Sequence, residues 1–360
     1  MNTKPILEML RFNLKGSFLF LSAFIGLMCL FISCDQINSP KRIEPVKIRP
    51  AIQTIVDSIA KYNQLTSSGV GFAGVRTGQW NRYEKLNKVA SLAELRELTH
   101  HKNSVVRCYA YDALTARKDT YAFTLLLSHL HDTAKVSTFF GCIISEEMAG
   151  DYFLNAVTPH NSTDVGYKLS LRQKSMIDSI LLFDKHIILS AKYNLLYDLK
   201  PQAQYYNRIR EIAINEKMPV AIWALAKYER VNDVSIIRAA FNDLQSEDYA
   251  IRSAMLIPDN SFYPIITNIF EREWKEKLYD YQKWEILYQA LAQYPKEPQT
   301  LDFFKKTIQT KDEFRYKTLG ADLLIAITKY PDPVFEPLKK QIKLDKYSME
   351  DVNRALSKTE

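Results

Sequence analysis

Glycine is scarce in this chain: ten in 360 residues, of which eight lie beyond Ser33. A fold built on glycine loops or many tight hairpins needs more left-handed backbone than that, so the composition favours helix. Three catalytic signatures are missing as well. There is no G-x-S-x-G, no H-E-x-x-H and no Walker sequence, which removes the usual marks of a serine hydrolase, a zinc protease and a phosphate-loop enzyme. The charge excess is small, +7 overall, and beyond the short run Lys41, Arg42, Lys47, Arg49 it forms no basic cluster of the kind nucleic acid requires. With 47% hydrophobic and 25% charged residues, the chain has ample material for a buried core.

What is present begins at the N-terminus. Residues 1–15 carry a basic segment, and Gly16–Ser33 then runs eighteen residues without a charge, the layout of an export signal. The run ends Phe31-Ile32-Ser33-Cys34-Asp35. This resembles the lipobox of bacterial lipoproteins, in which an apolar residue and then a small one precede a cysteine. The resemblance implies that Cys34 is diacylated and becomes the first residue of the mature protein. It predicts a signal peptide over 1–33, a lipid-anchored tether over 34–50 and a folded domain over 51–357, outside the cytoplasm at a membrane of the envelope, the outer membrane being favoured and the inner one the alternative. An uncleaved membrane span is the other reading, since eighteen apolar residues just cross a bilayer. Both place the domain on the same side, because the basic flank stays inside. Pro40, Pro45 and Pro50 stiffen the tether, which at about 3.1 Å per residue reaches up to roughly 50 Å.

From Ala51 the apolar spacing is helical. Ile52, Ile55, Val56, Ile59 and Tyr62 mark one stripe, and Ser91 with Glu94 makes a capping box. Self-similarity follows. Ala224-Leu225-Ala226-Lys227-Tyr228 recurs as Ala290-Leu291-Ala292-Gln293-Tyr294 and as Ala326-Ile327-Thr328-Lys329-Tyr330, with Ala254-Met255-Leu256-Ile257-Pro258 in the same slot. Each copy precedes a polar turn and a second apolar helix. In the N-terminal half, His101-Lys102-Asn103-Ser104-Val105-Val106-Arg107 aligns with His131-Asp132-Thr133-Ala134-Lys135-Val136-Ser137. The polar turn, Val-Val-Arg and then Ala110, Ala113 and Leu114 resemble a HEAT repeat, and the pattern extends in degenerate form over residues 90–345. The whole resembles the HEAT-repeat lipoproteins of Bacteroidetes. That implies an all-α solenoid of antiparallel helix pairs with no substantial β-sheet, binding proteins along a concave face. Arg107 resembles the HEAT arginine that pairs with an acidic residue of the next repeat. The ends need caps, expected at Ala51–Leu65 and Met349–Leu356, and Asp164–Lys200 holds a long helix that fits the period badly.

Gly69-Val70-Gly71-Phe72-Ala73-Gly74 is a literal G-x-G-x-x-G, but a dinucleotide site needs a strand before it and a helix after it. The apolar pattern before it is helical, so no nucleotide cofactor is expected. Four glycines between 69 and 78 do mark a loop of unusual freedom, and Gly69, Gly71, Phe72 and Gly74 with Trp80 are the candidate partner-binding loop. His100, His101, His129 and His131 fall on turns and are expected exposed, without a metal, since no matching carboxylate or thiol rhythm accompanies them. Cys108 and Cys142 align too far apart for a disulfide and are expected free and mostly buried. Glu146, Glu147 and Asp151 are expected on the solvated face of a helix. Asp57-Ser58-Ile59 and Asp132-Thr133-Ala134 resemble the O-glycosylation triplet of some Bacteroidetes.

These readings converge on a non-catalytic envelope lipoprotein, a scaffold that binds a protein or peptide and touches the membrane through its anchor. An enzyme acting on cell-wall material is the rival, and it predicts an acidic pocket holding a carboxyl group with a raised pKa. A structural subunit of an envelope complex predicts a large exposed apolar patch.

Overall fold

Apolar residues recurring every three or four positions wind most of this chain into helices. The computed structural model describes residues 45–158, 166–276 and 280–357. Among these are eighteen α-helices and three strands. The expected signal segment 1–33, Cys34 and most of the expected tether lie outside the described residues.

The N-terminal unit runs α1 (Pro50–Tyr62), β1 (Leu65–Val70), α2 (Gly78–Val89), α3 (Leu92–Leu98), α4 (Ser104–Ala116), α5 (Ala122–Ser128), β2 (Lys135–Gly141), β3 (Ile143–Met148) and α6 (Ala149–Val157). Pro50 opens α1, where its missing N–H costs nothing. Ile52, Ile55, Val56 and Ile59 are its buried stripe, while Tyr62 is exposed. The Ser91–Glu94 capping box forms at the head of α3. Its carboxylate does more than cap: Arg49 donates to Glu94 Oε1 from Nε at 2.8 Å and to Oε2 from its terminal nitrogen at 2.7 Å. These bonds hold the Glu94 carboxyl well below the usual carboxylate range. Val46 N–H donates to Glu97 at 3.3 Å. The last residues of the expected tether are therefore docked on α3.

The sheet corrects the expectation of an all-α chain. Its order is β1-β2-β3, with β1 parallel to β2 and β2 antiparallel to β3. The segment aligned with a second helical repeat, from His131 onward, is β2. Val136 and Thr138 are buried while Ser137 and Phe139 are only partly so, and that alternation has the period of a strand. Glu146 and Glu147 lie on β3 rather than on a helix. Asp151 is buried; its two carboxylate oxygens accept the backbone N–H groups of Ser190 at 3.0 Å and Ala191 at 2.8 Å.

A second correction concerns the long helix expected over Asp164–Lys200. Within its described part it is two helices, α7 (Leu171–Phe183) and α8 (Ser190–Asp198), and Asp151 supplies the cap that Leu189 at the start of α8 lacks. The chain continues through α9 (Tyr206–Glu211), α10 (Val220–Ala226), α11 (Val234–Ala240), α12 (Glu247–Leu256), α13 (Tyr263–Lys275), α14 (Tyr281–Ala292), α15 (Pro298–Ile308), α16 (Glu313–Lys329), α17 (Glu336–Gln341) and α18 (Lys346–Ser357). Even-numbered helices stack in sequence, α8 on α10, α10 on α12, and so on to α18, while α9, α11, α13 and α15 back them. Ala224, Ala254, Ala290 and Ala326 are all buried in this stack, where small side chains let the helices approach closely.

Ion pairs clamp successive hairpins. Arg96 holds Asp119, Arg107 holds Asp132, Arg210 holds Asp233 and Arg272 holds Glu247. Two apolar cores result, one from Ile52 to Leu189 and one from Leu182 to Val352, with Leu195 packed against both.

Candidate functional site

The glycine run closes a turn at the end of the sheet. Val70 and Val75 exchange backbone hydrogen bonds of 3.0 and 2.8 Å across it. Gly71 and Gly74 take φ of 69° and 61°, the left-handed region that a side chain would strain. At Gly69 a Cβ would come within 3.0 Å of the Gly74 carbonyl oxygen. Phe72 stands at the apex, fully exposed. Contrary to the sequence reading, the run begins in a strand, with Gly69 inside β1 and Gly71 and Gly74 after it, and α2 follows. Trp80 lies apart from the apex, in the first turn of α2. It is partly buried against Tyr83, with ring centroids 4.8 Å apart, and its indole N–H donates to Glu84 at 3.0 Å.

A second turn lies alongside. Gly71 N–H donates to Gly141 O at 2.7 Å, which sets the Phe72 apex beside the Gly141-Cys142 turn between β2 and β3. Ile143 and Ile144 at the start of β3 are 68% and 66% exposed, and Val75 is 59% exposed. The two turns thus bring exposed apolar residues to one end of the sheet, an apolar tip with Ile143 and Ile144 on its opposite faces. Sequence reasoning found its Phe72 half through the flanking glycines and did not single out Ile143 and Ile144.

Cys108 and Cys142 are both free. Cys108 is buried in α4, and burial pushes its thiol well up. Cys142 is exposed, against the expectation of a buried thiol, because the segment carrying it is a hairpin and not a helix. Nor are the histidines uniformly exposed. His129 is buried, its ring against Phe153 at 4.3 Å and its Nδ1 3.2 Å from Asp132, whereas His131 pairs with Asp184. Of the glycosylation-like triplets, Thr133 is exposed before β2, while Ser58 lies in α1 and donates to the Thr54 carbonyl. Among the described residues no three His, Cys, Asp or Glu side chains converge for a metal ion.

Two carboxyl groups stand apart from the ion-paired acids. Asp112 accepts a hydrogen bond from the Tyr152 hydroxyl, and burial pushes its carboxyl up to about 7. Asp322 lines an open groove of about 560 Å³ between α16 and α18, together with Glu285, Lys317, Ile325, Asp351 and Val352. Burial and the neighbouring Glu285 push Asp322 up to about 7. Glu285 accepts from the Gln289 amide at 3.3 Å.

Comparison with family models, with characterised proteins and with solved structures finds no significant match. Among the described residues, no helix is long and apolar enough to cross a membrane.

Proposed function

We propose that the chain is a non-catalytic lipoprotein of the cell envelope, held at the outer membrane by acylated Cys34, whose HEAT-like helices form a scaffold for a protein partner. The observation that carries this reading is the apolar tip. Single exposed apolar residues are ordinary, but Phe72, Val75, Ile143 and Ile144 gather on or beside two turns that a backbone hydrogen bond joins, and exposed apolar residues collected at one end of a sheet are relieved of water by a partner. The sequence at 31–35 supports the anchor, and the stacked helices supply the rigid support that a docking loop requires.

An affinity-tagged full chain cross-linked in its own envelope is expected to recover a discrete partner. Phe72→Ser combined with Ile143→Ser is expected to lose that partner while changing folding stability by no more than about 0.5 kcal/mol, as exposed sites do. Recovery of no discrete partner would end the scaffold reading. Cys34→Ser is expected to release the protein from the membrane fraction.

Asp322 favours a second reading, a cell-wall hydrolase. A carboxyl group raised to about 7 beside a second carboxylate matches a general acid and its base. Hydrolysis of purified cell-wall material, abolished by Asp322→Asn, is the signature of that reading.

A further inference from the structure

The β3 strand has an open edge. Sheet order places β2 on its inner side, and among the described residues no backbone bond joins its outer side to another element. The opposite edge of the sheet is partly closed, because β1 is covered at its end by the Val70–Val75 bridge. Folded proteins blunt such edges with proline, bulges, inward charges or a covering element. None of these stands at Ile143–Ser145; the acids follow, with Glu147, on the face of buried Val136 and bonded by the Asn155 amide at 3.2 Å, as the one inward charge of the strand. Its register with β2 runs unbroken from Ile143 to Met148, and residues 143–146 are exposed on both faces. An even row of backbone donors and acceptors, next to an apolar tip, is the geometry that takes up an added strand.

The side chains define what fits. Register with β2 puts Ile143, Ser145 and Glu147 on the face shared with Val136 and Thr138, and Ile144, Glu146 and Met148 on the other. Glu146 and Glu147 are the only charges on the strand, and the first is met only by Lys135 at 3.6 Å in an exposed pair. A second copy of this edge adds two more acids and no base, so like charges repel wherever the two acidic ends overlap. A basic segment gains where a second copy loses.

We infer that β3 accepts an extended segment of a partner protein as a fourth strand, with apolar side chains beside Ile143 and Ile144 and basic ones beside Glu146 and Glu147. This deepens the docking reading and rests on it, since it specifies how the partner is held.

The probe is a synthetic peptide, Lys-Val-Ser-Thr-Phe-Phe, copied from Lys135–Phe140, the sequence that already pairs with β3 along its inner side. Added to the purified full chain, it is expected to shift the NMR resonances of Ile143–Met148 and to slow exchange of alternate β3 amides. Glu146→Lys is expected to weaken binding about tenfold, and a Glu-Val-Ser-Thr-Phe-Phe peptide to restore it. Three results would overturn the inference. One is the absence of β3 shifts at millimolar peptide, another is equal binding by Glu146→Lys, and the third is a dimer whose β3 amides are already protected by a second copy. If cross-linking in the envelope is lost with Phe72→Ser but kept with Glu146→Lys, docking stands and strand addition falls.

Discussion

Arg107 and Asp132, twenty-five residues apart, are joined by two charged hydrogen bonds of 2.8 Å each, from Nε to Oδ2 and from a terminal nitrogen to Oδ1. The same guanidinium donates to the carbonyls of His101 and Lys102, so one side chain ties α4 to the turn before it and the turn before β2. Arg107→Ala should cost about 2–4 kcal/mol, because it strands a largely buried carboxylate and two carbonyls. Arg107→Lys should recover little of that, since a single ammonium cannot reproduce the fork. Urea unfolding of both variants is the measurement.

Acid should weaken the same clamp. Burial alone would raise the Asp132 carboxyl, but hydrogen bonds from His129 and Arg107 outweigh it and hold it at about 2. The folded state therefore binds this proton less tightly than the unfolded chain, whose aspartates titrate near 4. The pair's contribution is complete above about pH 4 and is lost as pH falls toward 2. Wild-type stability should drop more steeply over that window than that of Asp132→Asn.

Asp112 should act in the opposite sense. Its carboxyl, at about 7 in the fold, holds its proton more tightly than in the unfolded chain, so stability is greatest below about pH 4. It declines as pH rises from about 4 to about 7 and is level beyond. Asp112→Asn keeps an oxygen for the Tyr152 hydroxyl and has no charge to bury. At pH 8 it should be more stable than wild type by about 1–3 kcal/mol, and at pH 4 nearly equal to it. Asp322 titrates in the same window, so the comparison must be with the single variant and not with the slope of wild type alone.

These residues also show what a sequence can and cannot carry. The terminal helices, the Ser91–Glu94 box and the buried alanines of α10, α12, α14 and α16 were legible because helical signals are local: a cap and an apolar period both lie within a few residues. The β2–β3 hairpin was not legible. His101 and His131 begin similar strings, yet the second becomes a strand because β1, far back in the chain, pairs with it, and no local pattern encodes that partner. The same holds for Asp322, whose environment is set by α14 and α18 packing on either side of α16. Phe72 was legible from its glycines, and Ile143 and Ile144 were not, since an apolar pair reads alike in a helix core and on an exposed strand.

The two thiols should separate cleanly by rate. Cys142 is exposed at the hairpin turn and Cys108 is buried, where burial also disfavours its thiolate, the reactive form. In native, unreduced protein lacking residues 1–33 and with Cys34 replaced by Ser, a thiol reagent should label one cysteine at once. The second should react only on unfolding. Peptide mapping that found Cys108 labelled first would contradict the placement of both segments.

Of the described glycines, Gly150 is the one that an added side chain would crowd most. It sits in the first turn of α6, and a Cβ there would lie 2.7 Å from the His129 carbonyl oxygen and 2.9 Å from a Leu189 methyl. The carbonyl is backbone and cannot swing aside, and Gly150 N–H is itself bonded to Asp132 O at 2.9 Å, so α6 cannot slide away without breaking that bond. The substitution also disturbs three elements at once: the His129–Asp132 turn that receives Arg107, the head of α6, and Leu189 in front of α8. Although alanine is ordinarily the better helix residue by about 1 kcal/mol, Gly150→Ala should destabilise by about 2–4 kcal/mol, the scale of an overpacked core. Gly78→Ala, in the first turn of α2 with only the flexible end of Arg82 at 3.7 Å, is the matched control and should be neutral or slightly stabilising in the same urea titration.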